Sequence, residues 1–208
     1  DSNALSEKSA ILENVGDMSA TDSAKAIISG VQAYDEIGGY TDVIGKATAL
    51  IDKYNEIGNT ASITSAEIAK GVQAVGSVFA DANTDVDEFI SLLAAGNRQY
   101  QNADSLALGL RTSALRLRAA TVDLENAGED IDGVISILDN QEKIKALTGV
   151  DILGDDGNIR SIYDIFLDIS KVYKGMSDVD QSALLKIIAG THRSSAISAV
   201  LNNMSEAT

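Results

Sequence analysis

Apolar residues recur along almost the whole chain at steps of three and four. Val43, Ile44, Ala47, Leu50, Ile51, Tyr54 and Ile57 form one such stripe, and a stripe at this spacing lies on one face of an α-helix. The same rule picks out Ala24, Ile27, Ile28 and Val31, then Ile68, Val72, Val75 and Phe79. Val86, Phe89, Ile90, Leu93 and Tyr100 form a fourth stripe, and Ile162, Ile165, Phe166, Ile169 and Tyr173 a fifth. Start signals agree with the periodicity. Thr64-Ser-Ala-Glu67 reads as a capping box, and Thr84-Asp-Val-Asp87 and Ser177-Asp-Val-Asp180 as its aspartate variants. Gly16, Gly38-Gly39, Gly58 and Gly175 stand just past stripes, where a left-handed residue closes a helix. The pattern predicts helices near 3–15, 21–36, 41–57, 65–81, 85–100, 103–119, 131–147, 161–174, 178–189 and 191–204. The fold class is therefore all-α, an irregular bundle of roughly nine or ten amphipathic helices.

One stretch departs from the period. In TGVDILGDDGNIRS, Thr148 to Ser161, Val150 and Ile152 alternate with polar neighbours and Asp156-Gly157 is a tight-turn signal. This predicts a small hairpin or structured loop near 148–160. It is also the one candidate sub-boundary in what otherwise reads as a single helical domain over residues 1–208.

Composition narrows the function classes. The 208 residues, 45% of them apolar, suffice for a sizeable core. A net charge of −15 opposes contact with a phosphate backbone, so direct nucleic-acid binding is not expected. The absence of cysteine removes disulfides, thiolate nucleophiles and Cys-ligated zinc. No apolar run approaches the roughly 20 residues of a membrane-spanning helix. The chain opens with Asp-Ser-Asn-Ala rather than Met, which suggests an excerpt of a longer protein.

Candidate chemistry is sparse. The one histidine, His192, stands beside Ser194 and Ser195 in a first helical turn, where side chains do not converge as a triad requires. A solvated or capping role accounts for it. Asp151, Asp155, Asp156 and Asn158 surround Gly154 and Gly157, but calcium-loop spacing fails. With Gly157 as its sixth residue, the loop would place Ile152 first and Tyr163 last. A turn whose Asp and Asn side chains bond local backbone explains the same letters. Glu125, Glu129, Asp130 and Asp132 form an acidic patch suited to a helix N-terminus and to solubility. The Gly-Gly at 38–39 lacks the residues of a phosphate loop. No catalytic residue, metal or cofactor is assigned, and the chain is read as a non-enzyme.

The segment NADSLALGLRTSALRLRAA is the most distinctive. Leu106, Leu110, Ala114 and Leu117 share one helical face, with Leu108 and Leu115 nearly opposite, so the helix is buried or sandwiched. Gly109 costs about 1 kcal/mol against Ala in mid-helix, which close approach of another backbone would explain. Arg111, Arg116 and Arg118 are expected to lay their stems over apolar surface and reach carboxylates at the edge. An arginine helix that grips a ligand is the alternative.

This block resembles the core region of phage tail tape measure proteins, in which a Gly leads into an R-T-x-[LA]-x-R-[LI] run. Gly109, Leu110, Arg111, Thr112, Leu115, Arg116 and Leu117 occupy that run here. GDDGNIRSIYDIFLDI and LLKIIAGTHRSSAISAVLNN are similar to later segments of that family, with Gly157, Arg160, Asp168, Gly190 and Arg193 at the matching positions. The likeness runs from about Thr21 to Met204 in unbroken order. It implies a structural domain of a phage or prophage protein in the virion tail tube, made in the host cytoplasm and acting in tail assembly and length determination. Implied partners are copies of itself, tube subunits and tail-tip or assembly proteins. The long repeats and membrane-prone stretch of that family are missing here and would lie elsewhere. The rival reading is a helical ligand-binding segment of a secreted or surface protein, such as an adhesin or toxin.

Overall fold

The computed structural model describes residues 2–204, and residues 1 and 205–208 of the 1–208 span lie outside it. The described residues form eleven helices in the order α1 (Ser2–Gly16), α2 (Ala20–Ala33), α3 (Val43–Thr60), α4 (Ser65–Ala80), α5 (Val86–Tyr100), α6 (Ala103–Leu117), α7 (Thr121–Asn126), α8 (Ile137–Thr148), α9 (Ile162–Tyr173), α10 (Asp178–Ala189) and α11 (Ser194–Asn203). Among the described residues extended pairing is limited to two isolated antiparallel bridges, Ile37 with Tyr40 and Leu153 with Ile159.

The stripes become the core. Ile27, Leu50, Tyr54, Ile68, Val75, Phe79, Phe89, Leu93, Ile165, Phe166 and Ile169 all lie in it. Phe79 and Phe89 meet with ring centroids 4.7 Å apart, where α4 crosses α5. Helix α4 packs against α1, α2, α3, α5 and α6, and α6 in turn packs against α4, α5, α7, α10 and α11. The two helices therefore join the N-terminal layer to the C-terminal one. Residues on both sides of the 148–160 stretch share this core, because α11 lies along α5 and α6.

The caps follow the side chains that start each helix. Thr64 with Glu67 and Asp85 with Glu88 form reciprocal capping boxes, and the Ser177 side chain accepts from the Asp180 amide. The second box opens one residue later than its spacing suggests, on Asp85 rather than Thr84. The Thr84 hydroxyl instead accepts the amide of Ile162, 2.9 Å away, and ties the start of α9 to the α4–α5 turn.

Several boundaries differ from the periodic pattern. The helix expected over 131–147 begins only at Ile137, after Ser136 caps the Asp139 amide at 3.1 Å. A short unexpected helix, α7, precedes it. Its single buried residue is Leu124, too few to print a stripe. The 103–119 helix ends at Leu117, the 191–204 helix starts at Ser194, and the 21–36 helix ends at Ala33. Of the glycines expected to close helices, Gly38 and Gly39 do have positive φ, 59° and 82°, in the Ile37–Tyr40 turn. After α1 the left-handed residue is Asp17, at φ 52°, and not Gly16. Gly58 lies inside α3, and neither it nor Gly175 has positive φ.

Candidate functional site: a buried arginine and the turn it holds

Helix α6 is buried on nearly all sides, with eleven of its fifteen residues inside, which fits its two apolar faces. Leu110, Leu115 and Leu117 are interior, and the Thr112 hydroxyl donates to the Leu108 carbonyl at 2.9 Å. At Gly109 an added Cβ would lie 2.9 Å from Cβ of Ala196. The close approach expected there is thus with α11, a crossing that only a missing side chain permits.

The three arginines do not share one role. Arg111 and Arg118 are half-buried and their guanidinium groups make no hydrogen bond or ion pair, whereas Arg116 is 1% exposed and among the largest fully buried side chains. Its guanidinium reaches no carboxylate. Nε donates to the Ile187 carbonyl at 2.9 Å, and Nη2 donates to the carbonyls of Lys186 at 3.0 Å and Asp132 at 2.9 Å. Nη1 donates to the Asp130 carbonyl. The edge contact with acids expected for Arg116 is therefore corrected to a buried staple. It satisfies carbonyls at the end of α10 and in the loop before α8, groups that a helix end and an irregular loop leave without partners. Burial pushes the Arg116 guanidinium below its ordinary range, opposed by the nearby Asp130, Asp132 and Glu129 charges.

Two of the residues around it, Gly190 and Arg193, come from the same resemblance. Gly190 has φ +67°, and a Cβ there would lie 3.2 Å from Arg116 Nη1, so the turn after α10 both needs a glycine conformation and leaves room for the guanidinium. Three residues on, Arg193 clasps Glu129 through Nη2 at 2.6 Å and Nε at 3.0 Å. Between them, Thr191 Oγ1 donates to Asp130 Oδ2 at 2.9 Å, while Asp130 Oδ1 accepts the Asp132 amide at 2.8 Å. Those bonds hold the Asp130 carboxyl below the usual carboxylate range, the Asp132 amide most strongly. Asn140 closes the group by donating from Nδ2 to the Arg116 carbonyl at 2.8 Å. The acidic patch thus anchors a loop instead of starting a helix.

Gly157, Arg160 and Asp168 fall in a second group, on the 148–161 stretch. Gly154 and Asn158 pair through the Gly154 amide at 2.8 Å, and the Arg160 amide donates to the Ile152 carbonyl at 2.9 Å. Of the expected hairpin or structured loop, the second forms: a turn closed by the single Leu153–Ile159 bridge, with Gly157 at φ +79°. Asp156 accepts the Asn158 amide at 3.0 Å and its side-chain amide at 2.9 Å, the local turn bonding read from the sequence. Arg160 donates to the Asp151 carbonyl and to Asp168 Oδ2, each at 2.6 Å, and Lys171 pairs with Asp168 Oδ1 at 2.7 Å. Lys171 first and Arg160 second depress the Asp168 pKa. The loop docks on the α4–α5 turn, where Asn83 donates to the Ile159 carbonyl at 2.9 Å and Ser161 Oγ to Glu88 Oε2 at 2.9 Å.

His192 is exposed in the α10–α11 turn, and neighbouring Ser194 donates its hydroxyl to the Gly190 carbonyl at 2.8 Å. Among the described residues no group of three or more His, Asp or Glu side chains is placed to hold a metal ion. No described helix is long and apolar enough to cross a membrane. Sequence reasoning missed Lys46, which is buried and donates to the carbonyls of Val31 at 2.7 Å and Tyr34 at 2.8 Å. A lysine three residues from both Val43 and Ala49 carries no mark of such a role. With its donors on backbone carbonyls, the Arg116 group positions segments of chain. A family model described as phage-related minor tail protein matches residues 1–190. That span takes in Arg116, Arg160, Asp168 and Gly190 and stops before Arg193 and α11. No solved structure matches the chain.

Proposed function

The chain belongs to the phage-related minor tail protein family, and on that premise we propose that it is a structural domain of a tail tape measure protein, acting in tail assembly and length determination without catalysis. The observation that carries the reading is where the tape-measure-like residues lie. Arg116 and Gly190, distant in sequence, meet at one buried turn, Arg193 ties Glu129 of the same loop, and Arg160 with Asp168 fixes the 148–161 turn. Residues that resemble a tail family's motif thus hold the body together rather than line a cleft. The domain occupies the tube interior during assembly, beside copies of itself, tube subunits and tip proteins, while the length-measuring segment lies in another part of the same protein.

The exposed tip of that turn offers a test, because insertions are tolerated where backbone is exposed and lightly bonded. An epitope tag placed between Asp155 and Asp156 in the full-length phage protein should be hidden from antibody in intact tails and accessible after DNA ejection. Antibody decoration along the outside of intact tails would overturn the placement.

A further inference from the structure

The stretch 119–139 is built inside out. Its one fully buried residue is Leu124, and it is held down by polar bonds, from Arg116 to the carbonyls of Asp130 and Asp132 and from Arg193 and Thr191 to Glu129 and Asp130. Its large apolar side chains face outward: Val122 is 66% exposed, Ile135 71% and Leu138 70%, with Ile131 at 38%. Among the described residues, four of the eleven exposed large apolar side chains fall in the 17 positions from Val122 to Leu138, a clustering beyond scatter. Local packing gives Ile135 no partner either. It precedes the Ser136 cap, where an apolar residue ordinarily packs on the fourth helical residue. Here that residue is Asn140, buried and spent on the Arg116 carbonyl.

Charge decides what covers this face. No lysine or arginine stands between Arg118 and Lys143, and Lys143 is already paired with Asp139 at 2.7 Å. The carboxylates of Asp123 and Glu125 are exposed and make no hydrogen bond or ion pair, and Asp132 and Glu142 are exposed as well. A second copy would bring a further net −15 against the same acids, so like charges oppose self-docking. We propose that Ile131, Ile135 and Leu138, rimmed by these carboxylates, form the docking surface for a basic amphipathic helix of another protein. That helix would set its apolar stripe on the three side chains and its lysines or arginines on the acids, with the carboxylates steering the encounter. Beside Leu138 a groove of about 420 Å³, walled by Ile137, Leu153 and Ile159 and edged by Asp81 and Arg118, gives its apolar side chains room. This surface does not rest on the tube placement proposed above, so either can fail alone.

The test uses the whole chain and a defined probe, a labelled 14-residue peptide of leucine and lysine at helical spacing, beside a scrambled peptide of the same composition. Fluorescence anisotropy should show the striped peptide binding, the scrambled one binding at least about tenfold more weakly, and salt weakening both. Ile135→Ser with Leu138→Ser should cost about tenfold or more, and Asp123→Asn with Glu125→Gln should reduce the salt dependence. Val179→Ser, at an exposed apolar position on α10, should change nothing. Equal binding of the two peptides, or unchanged binding by the Ile135/Leu138 variant, would overturn the proposal. So would light scattering that shows a dimer of the unaltered chain abolished by that same variant, because a second copy would then be the occupant.

Discussion

Replacing Arg116 by alanine removes four donors from a buried position and leaves their acceptors behind. The Asp130 and Asp132 carbonyls lie in an irregular loop that can turn toward water. The Lys186 carbonyl keeps the Gly190 amide at 3.2 Å, but the Ile187 carbonyl has its bond from Arg116 Nε. One or two dry carbonyls cost about 1–3 kcal/mol. The three buried methylenes of the stem contribute roughly 0.8 kcal/mol each. The sum is about 4 kcal/mol, close to the cost of emptying a buried polar site. Urea unfolding followed by far-ultraviolet circular dichroism measures it, with Arg118→Ala as control, because the half-buried Arg118 side chain makes no hydrogen bond or ion pair. The control should stay within about 0.5 kcal/mol of the parent. Hydrogen exchange should locate the damage, with amides of 128–136 losing protection before those of α4 and α5. Arg116→Lys should fall between, because an ammonium cannot span carbonyls on two segments as the planar fork does. A loss below about 1 kcal/mol for Arg116→Ala, or an equal loss for Arg118→Ala, would refute the staple.

Other outcomes follow from the same contacts. Gly109→Ala should destabilise by about 1–2 kcal/mol in the same assay, since the 2.9 Å clash with Ala196 is worth more than the gain in helix propensity. No loss would mean that α6 and α11 can separate freely. Asp168→Asn should cost less than about 1 kcal/mol, because both partners of its bond to Arg160 are partly exposed and salt screens the pair. Stability should pass through a maximum in mildly acidic solution. Asp130 and Asp168 have depressed pKa values, so their contribution is present above the unfolded value of about 3.9 and lost as pH falls below it. Glu88 is raised, chiefly by burial, so its contribution is present at low pH and lost as pH rises through its folded value, above 4.5. Glu88→Gln should flatten the upper limb of urea midpoints plotted from about pH 4.5 to pH 7 and leave the acid limb in place. An unchanged upper limb would assign that slope to other groups.

The helices were largely legible because burial repeats every three or four residues, as in Val43 to Ile57 and Val86 to Tyr100. Legibility failed where polar bonds replace apolar burial. The outward-facing Ile131, Ile135 and Leu138 carry the helical spacing of a buried stripe, which extended the expected helix back to 131, although Arg116 holds that backbone in a loop. Helix α7 has one interior residue and so no periodic signature. At the site, the two-sided apolar pattern correctly marked α6 as interior, and Gly109 as a close approach. The pattern could not separate Arg116 from Arg111 and Arg118, because what buries Arg116 is a set of backbone carbonyls from residues 130–132 and 186–187, which have no letters in the sequence. The small buried neighbours Thr112 and Ser113, one turn away on the same helix, are the nearest thing to a signal.

The central claim, a packed structural domain within a tail protein whose ruler lies elsewhere, is tested most directly by tail length. A compact body of this size has a radius of gyration of about 17 Å and spans roughly 40 Å, whereas the same residues as one continuous helix would span about 310 Å. Phage carrying a second in-frame copy of the segment, imaged by electron microscopy, should have tails lengthened by no more than roughly 40 Å. Lengthening near 310 Å would contradict the account, because the segment would then act in extended form as the ruler.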